Sequence, residues 1–113
     1  MSIDLTRHVQ PAFEQTAQRN GHIAALAAAE HIISSSPVIP ADVTTRCRSW
    51  ATNEPGIDLF FYDAPNDVRR FGAHFGLAVA ERITTSGASE VKAEGTVHGV
   101  QVRAWCLTGS VSS

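Results

Sequence analysis

Lysine is almost missing from this chain: Lys92 stands alone beside eight arginines. Charge of either sign is also scarce, with a formal net charge of −2 and a pI of about 6.2. No global basic field exists to hold a polyanion, which counts against non-specific duplex binding. Long apolar runs are absent too. The longest is Ile23–Ala29, against the roughly 20 residues a membrane-spanning helix needs. The N-terminus carries Asp4 and Arg7 and no continuous apolar stretch, so a secretory signal is not expected and the reading is cytoplasmic, with no membrane partner. Cysteine occurs twice, as Cys47 and Cys106, with no Cys-x-x-Cys pair. The expectation is two buried free thiols, with no disulfide framework. The five histidines (His8, His22, His31, His74, His98) show no zinc-ligand spacing. There is no Gly-x-Ser-x-Gly elbow and no phosphate-cradling glycine loop. No catalytic residue, metal site or cofactor is therefore assigned, and an enzyme is not the leading reading.

Of the 113 residues, 43% are apolar and 18% charged. That is a globular composition, and the length suits one domain spanning 1–113 with a single core. The arginine and alanine bias reflects a GC-rich coding genome and points to a bacterial setting.

The most legible stretch is Glu90–Leu107. Val91, Ala93, Gly95 and Val97 alternate with Glu90, Lys92, Glu94 and Thr96; after His98-Gly99, Val100, Val102, Ala104 and Cys106 alternate with Gln101, Arg103, Trp105 and Leu107. Period two on both sides of a two-residue turn predicts a β-hairpin, of type I′ because Gly99 takes positive φ freely. Counting from that turn sets Val97 against Val100, Gly95 against Val102, Ala93 against Ala104 and Val91 against Cys106. On the other face it sets Thr96 against Gln101, Glu94 against Arg103 and Lys92 against Trp105. The last two predict an ion pair and a cation–π contact, worth about 0.2–1 kcal/mol each.

Upstream, residues 3–34 read as helical, with a continuous helix over about 11–33 that has Pro11 in its first turn. Phe13, Ala17, Ala24, Ala28 and Ile32 form its core stripe, and Gly21 is tolerated at about 1 kcal/mol. Ile23, Leu26 and Ile33 lie off that stripe, so this helix has apolar residues on more than one side. Pro37 and Pro40 keep the next segment extended. Residues 43–51 alternate as a strand with Val43, Thr45 and Cys47 inward. Asn53–Gly56 is turn chemistry, and residues 57–62 form a second strand, with Ile57, Leu59 and Phe61 inward and Phe60 and Tyr62 outward. The two are expected to pair as a hairpin. Asp63 is expected to cap a helix that opens on Pro65 and carries Asp67 in its first turn and Val68, Phe71 and Phe75 on its core face. Gly76 ends it. Arg69 and Arg70 read as a solvated face. Residues 77–85 make a further strand, and the tail 109–113 is expected to fray.

The fold class is thus α+β: one mostly antiparallel sheet of about five strands, in the order helix-strand-strand-helix-strand-strand-strand, covered by a long N-terminal and a short second helix. The sheet's outward side collects Arg46, Arg48, Trp50, Phe60, Tyr62, Arg103 and Trp105. Such a set suits a protein interface, in which arginine and aromatics are enriched. It also suits stacking of unpaired bases between phosphate contacts. The segment Val-His-Gly-Val-Gln-Val-Arg-Ala-Trp (97–105) resembles the C-terminal segments of short proteins from actinobacterial phages and integrated mobile elements. The resemblance covers the last third of the chain, implies no activity and assigns no residue a role. The leading reading is a small non-enzymatic interaction or accessory protein, acting through self-assembly or by binding another protein at Ile23, Leu26, Ile33, Trp50 and Trp105. The alternative is single-stranded nucleic-acid or nucleotide binding through Arg46, Arg48, Trp50, Phe60 and Tyr62, which the acidic pI disfavours.

Overall fold

In the computed structural model, residues 2–109 are described, with side chains from residue 15 onward. Helix α1 spans Ser2–Ser35, followed by strands β1 (Asp42–Arg46) and β2 (Gly56–Phe60), helix α2 (Pro65–Phe75), and strands β3 (Ala78–Ile83), β4 (Ser89–Val97) and β5 (Val100–Thr108). The five strands form one sheet in the order β1-β2-β5-β4-β3, antiparallel throughout except for the parallel β2–β5 pair. This is the α+β architecture and element order read from the sequence. Residues 110–113 of the expected frayed tail, and the Phe13 side chain of the core stripe, lie outside what is described.

The hairpin forms in the expected register, with Val97 opposite Val100 and each further pair through Val91–Cys106 and Lys92–Trp105 as counted. Both turn residues have positive φ, 52° at His98 and 77° at Gly99, as a type I′ turn requires. The cross-strand contacts differ from expectation. Lys92 pairs with its neighbour-but-one Glu94 at 3.4 Å, and it is Arg103 that lies over the Trp105 ring, 5.5 Å from its centroid. Arg103 turns instead toward Asp58 on β2, a strand that sequence periodicity alone could not place beside β5.

Both helices cover the same sheet face. Ala25, Ala28 and Ile32 of α1 and Val68 and Phe71 of α2 share one core with Ile57, Leu59, Phe61, Val91, Ala93, Val102, Ala104 and Cys106. Ala24, expected on the core stripe, is exposed, and Ala17 is half-buried. The packed stripe is Gly21, Ala25, Ala28 and Ile32, which steps by four, three and four residues and so stays on one side of the helix. Gly21 does not break the helix. It is buried where α1 passes the 47–52 loop: a β-carbon there would collide with Cys47 Sγ and stand 3.0 Å from the Thr52 carbonyl oxygen.

That contact lies where the main departure from expectation occurs. The strand predicted over 43–51 stops at Arg46, and the chain then turns twice, with the Ala51 amide donating to Arg48 O and the Glu54 amide to Ala51 O, each at 3.0 Å. Cys47 is buried against the helix, its carbonyl accepting from Gln18 Nε2 at 2.9 Å. Its burial matches the expectation, but it sits in a loop and not on a strand. Both thiols are free.

Helix α2 opens on Ala64, not Asp63: no side chain caps it, and Asp63 holds a positive φ of 49°. The Ala64 amide donates to Cys106 Sγ at 3.2 Å, which ties the start of the helix to β5. Gly76, at φ 68°, ends it as expected. Arg69 is not merely solvated, because it holds Glu81 of β3 through two hydrogen bonds of 2.9 and 2.8 Å. No helix among the described residues is long and apolar enough to cross a membrane.

Candidate functional site: the open face of the sheet

Since α1 and α2 share one face, the other has no covering element among the described residues. Its composition follows from strand parity and register. One row across the sheet reads Asp42, Phe60, Trp105, Lys92, Ala80; the next reads Thr44, Asp58, Arg103, Glu94, Ala78; a third reads Arg46, Gly56, Gln101, Thr96. Residues far apart in sequence are thus adjacent here because β2 inserts beside β5.

Asp58 is the charge hub of the middle row. Its Oδ1 lies 2.9 Å from Arg46 Nη1 and 3.6 Å from Arg103 Nε. Asp58 Oδ1 and Arg103 Nε are both shielded from solvent and lack a well-aligned hydrogen bond, so their mutual attraction is mainly coulombic. Arg46 reaches across because residue 56 is glycine: a β-carbon there would stand 2.7 Å from the guanidinium carbon of Arg46. Arg46, Arg48, Asp58, Glu94, Gln101 and Arg103 border an open concavity of about 640 Å³. Beside it, Phe60 and Trp105 make a tilted stack, with centroids 4.7 Å apart at 55°.

Of the residues picked from sequence, Arg46, Phe60, Arg103 and Trp105 do share this surface. Arg48 joins it from the loop after β1. Trp50 does not lie on the sheet. It sits in the loop's turn, 80% exposed, with the Arg48 guanidinium carbon 5.9 Å from its ring centroid. Tyr62 is exposed just past the end of β2. On α1, Ile23 and Leu26 are 56% and 57% exposed, whereas Ile33 is half-buried and packs against the core. Ile33 is therefore not part of a fully free apolar face.

The residue that sequence reasoning missed is Asp58. Its signal was present as the one carboxylate at an outward position between the core residues Ile57 and Leu59, on a strand followed by the outward Phe60. Opposite charges continue at the sheet's far edge, where Arg82 Nε donates to Glu90 Oε1 at 2.6 Å and holds that carboxyl below the usual glutamate range.

The surface can stack and form charge-assisted hydrogen bonds. Among the described residues, no cluster of three or more metal-ligating side chains forms. Comparison with protein-family models, with curated proteins and with solved structures gave no significant match.

Proposed function

We propose that this chain is a small non-enzymatic interaction protein whose open sheet face binds another protein. The observation that carries the reading is that both helices cover one face of the sheet, leaving the Phe60–Trp105 stack and the Arg46–Asp58–Arg103 group without a covering element. Aromatics and arginine are the residues that interfaces concentrate near their centres. Here Asp58 offsets part of the charge of Arg46 and Arg103, so desolvating the face costs less than burying bare charges. The hairpin's resemblance points to a phage or mobile-element setting, with which an accessory role for a small chain of this kind is compatible.

A photo-crosslinking residue at position 105 tests the reading in cells of the source organism. A discrete cross-linked protein is expected from position 105 and none from the exposed turn residue Ser86. Equal, diffuse labelling at both positions would count against it.

Single-stranded nucleic-acid or nucleotide binding is the second reading. It is favoured by one observation: the concavity and its margin carry Arg46, Arg48, Arg103 and Lys92 against Asp58 and Glu94, a local cationic surplus in an acidic chain. Filter binding of an oligonucleotide against salt separates the two. Binding that falls steeply with salt and with Trp105→Ala supports nucleic acid; no binding at about 50 mM salt removes it.

A further inference from the structure

The far side of α1 carries a pattern that the fold does not use. Counting 16, 19, 23, 26, 30, 33 gives Thr16, Arg19, Ile23, Leu26, Glu30 and Ile33, alternating steps of three and four that track one seam along a helix. In sequence the same count runs back through Ala12, Val9 and Leu5. The sheet-facing stripe Gly21, Ala25, Ala28 and Ile32 lies on the other side, so apart from Ile33, which packs against the core, this seam is not needed for it. Thr16, Arg19, Ile23, Leu26 and Glu30 are all exposed, and only Ile33 is half-buried.

The two charges in the seam decide what could lie against it. In a parallel pair of these helices, Arg19 would face Arg19 and Glu30 would face Glu30, which is repulsive at both levels. In an antiparallel pair about a two-fold axis between Ile23 and Leu26, each position meets the one whose number makes the same sum. Ile23 then faces Leu26 of the second copy, Arg19 faces Glu30, and Thr16 faces Ile33. One register therefore places apolar on apolar at the centre and opposite charges at both ends. The aliphatic stems of Arg19 and Glu30 cover the margins of the apolar layer while their heads pair. Among the described residues, neither Arg19 nor Glu30 has an ionic partner within the chain. From Thr16 to Ile33 the paired stretch is about 27 Å long, with each copy's sheet on its outer side.

We infer that the chain forms an antiparallel homodimer through α1, with Ile23 and Leu26 at its centre and reciprocal Arg19–Glu30 pairs closing each end. The inference rests on the self-assembly half of the interaction reading and is independent of the sheet face, which this dimer leaves open.

Sedimentation velocity across a concentration series tests it. The wild-type chain is expected to reach twice its 12.1 kDa mass, and Leu26→Glu to stay at the monomer mass. Arg19→Glu and Glu30→Arg are each expected to be monomeric, because each creates like-charged pairs. The double variant Arg19→Glu/Glu30→Arg restores the dimer, and mixing the two single variants yields a heterodimer. All three substituted positions are exposed, and circular dichroism with thermal melting confirms that the monomeric variants are folded. A wild-type chain monomeric at the highest concentration overturns the inference, as does a double variant that fails to recover. A dimer that survives Leu26→Glu but is lost in Trp105→Ala also overturns it, while leaving the interaction reading in place at the sheet face.

Discussion

Gly21 of α1 and Cys47 of the loop after β1 are in such close contact that no β-carbon fits between helix and sulfur. Alanine at residue 21 would raise intrinsic helix propensity by about 1 kcal/mol, which on its own predicts a more stable protein. The packing argument predicts the opposite sign. Cys47 Sγ also donates to the Thr52 carbonyl oxygen at 3.6 Å, and that same oxygen would stand 3.0 Å from the added β-carbon, so moving the sulfur aside strains this contact and still leaves the oxygen close. Gly21→Ala is expected to destabilise by about 1–3 kcal/mol, the usual cost of overpacking. Urea denaturation checks the sign. Gly21→Ala/Cys47→Ala, which removes the obstructing sulfur, should recover part of the loss.

The β4–β5 turn gives a second prediction of sign. Gly99 sits at φ 77°, and a β-carbon there would meet nothing within 4 Å. Any cost of Gly99→Ala is therefore conformational and not steric crowding, at about 1–2 kcal/mol for a left-handed non-glycine residue. His98 already bears positive φ, a conformation that asparagine tolerates better. His98→Asn should thus be neutral to slightly stabilising. Melting temperatures of the two variants are expected to move apart, with Gly99→Ala lower than wild type and His98→Asn at or above it.

The hairpin and the core parity of β2 were legible in the sequence because a period of two is a local property, and a two-residue turn fixes register by counting. The alternation of residues 43–51 was equally regular, yet the strand ends at Arg46. Just past that end Cys47 packs against Gly21 of α1, a contact that no local pattern contains. Long-range neighbours were illegible for the same reason. Nothing near Asp58 in sequence announces Arg103, because the two meet only through the parallel β2–β5 pairing. Correct register alone points to Lys92 as the cation over Trp105. Arg103 takes the position instead, the indole lying two residues further along its own strand.

Two ion pairs tie elements at the β3 edge and set an acid dependence. Glu81 is held below the usual glutamate range by hydrogen bonding from Arg69, and Glu90 likewise by Arg82. A carboxyl depressed in the folded state binds fewer protons than in the unfolded chain, so its contribution to stability is present above the unfolded glutamate pKa of about 4.3. It is lost as pH falls through the lower folded value. Glu81 and Arg69 are well exposed, so the effect is small and screened by salt. Arg69→Gln should lower the melting temperature modestly at pH 7 and low ionic strength. The gap to wild type should close as the pH is taken below about 4 or as salt is raised. A gap that stays constant across pH would assign the loss to packing of the arginine stem.

Asp58 is the group through which the charge of the sheet face can be tested without knowing any ligand. Its carboxylate lies against Arg46 and Arg103 together, so Asp58→Asn frees two guanidiniums while keeping side-chain size. If neutralisation by Asp58 is what keeps phosphate off this face, the wild-type chain binds single-stranded oligonucleotide weakly or not at all. Asp58→Asn should then bind it with an affinity that falls linearly in log salt, as release of counterions by unpaired cations requires. Arg46 and Arg103 keep solvent access, with 31% and 43% of their side chains exposed, so the same substitution is expected to cost at most about 1 kcal/mol of stability. Binding to a protein partner that relies on the ordered Arg46–Asp58–Arg103 geometry should weaken in the same variant. Oligonucleotide anisotropy at several salt concentrations, run on wild type, Asp58→Asn and Asp58→Asn/Arg103→Gln, provides the check. The last variant should reduce the salt slope by about one relative to Asp58→Asn alone. Equal oligonucleotide affinity for wild type and Asp58→Asn would show that the carboxylate does not gate the face.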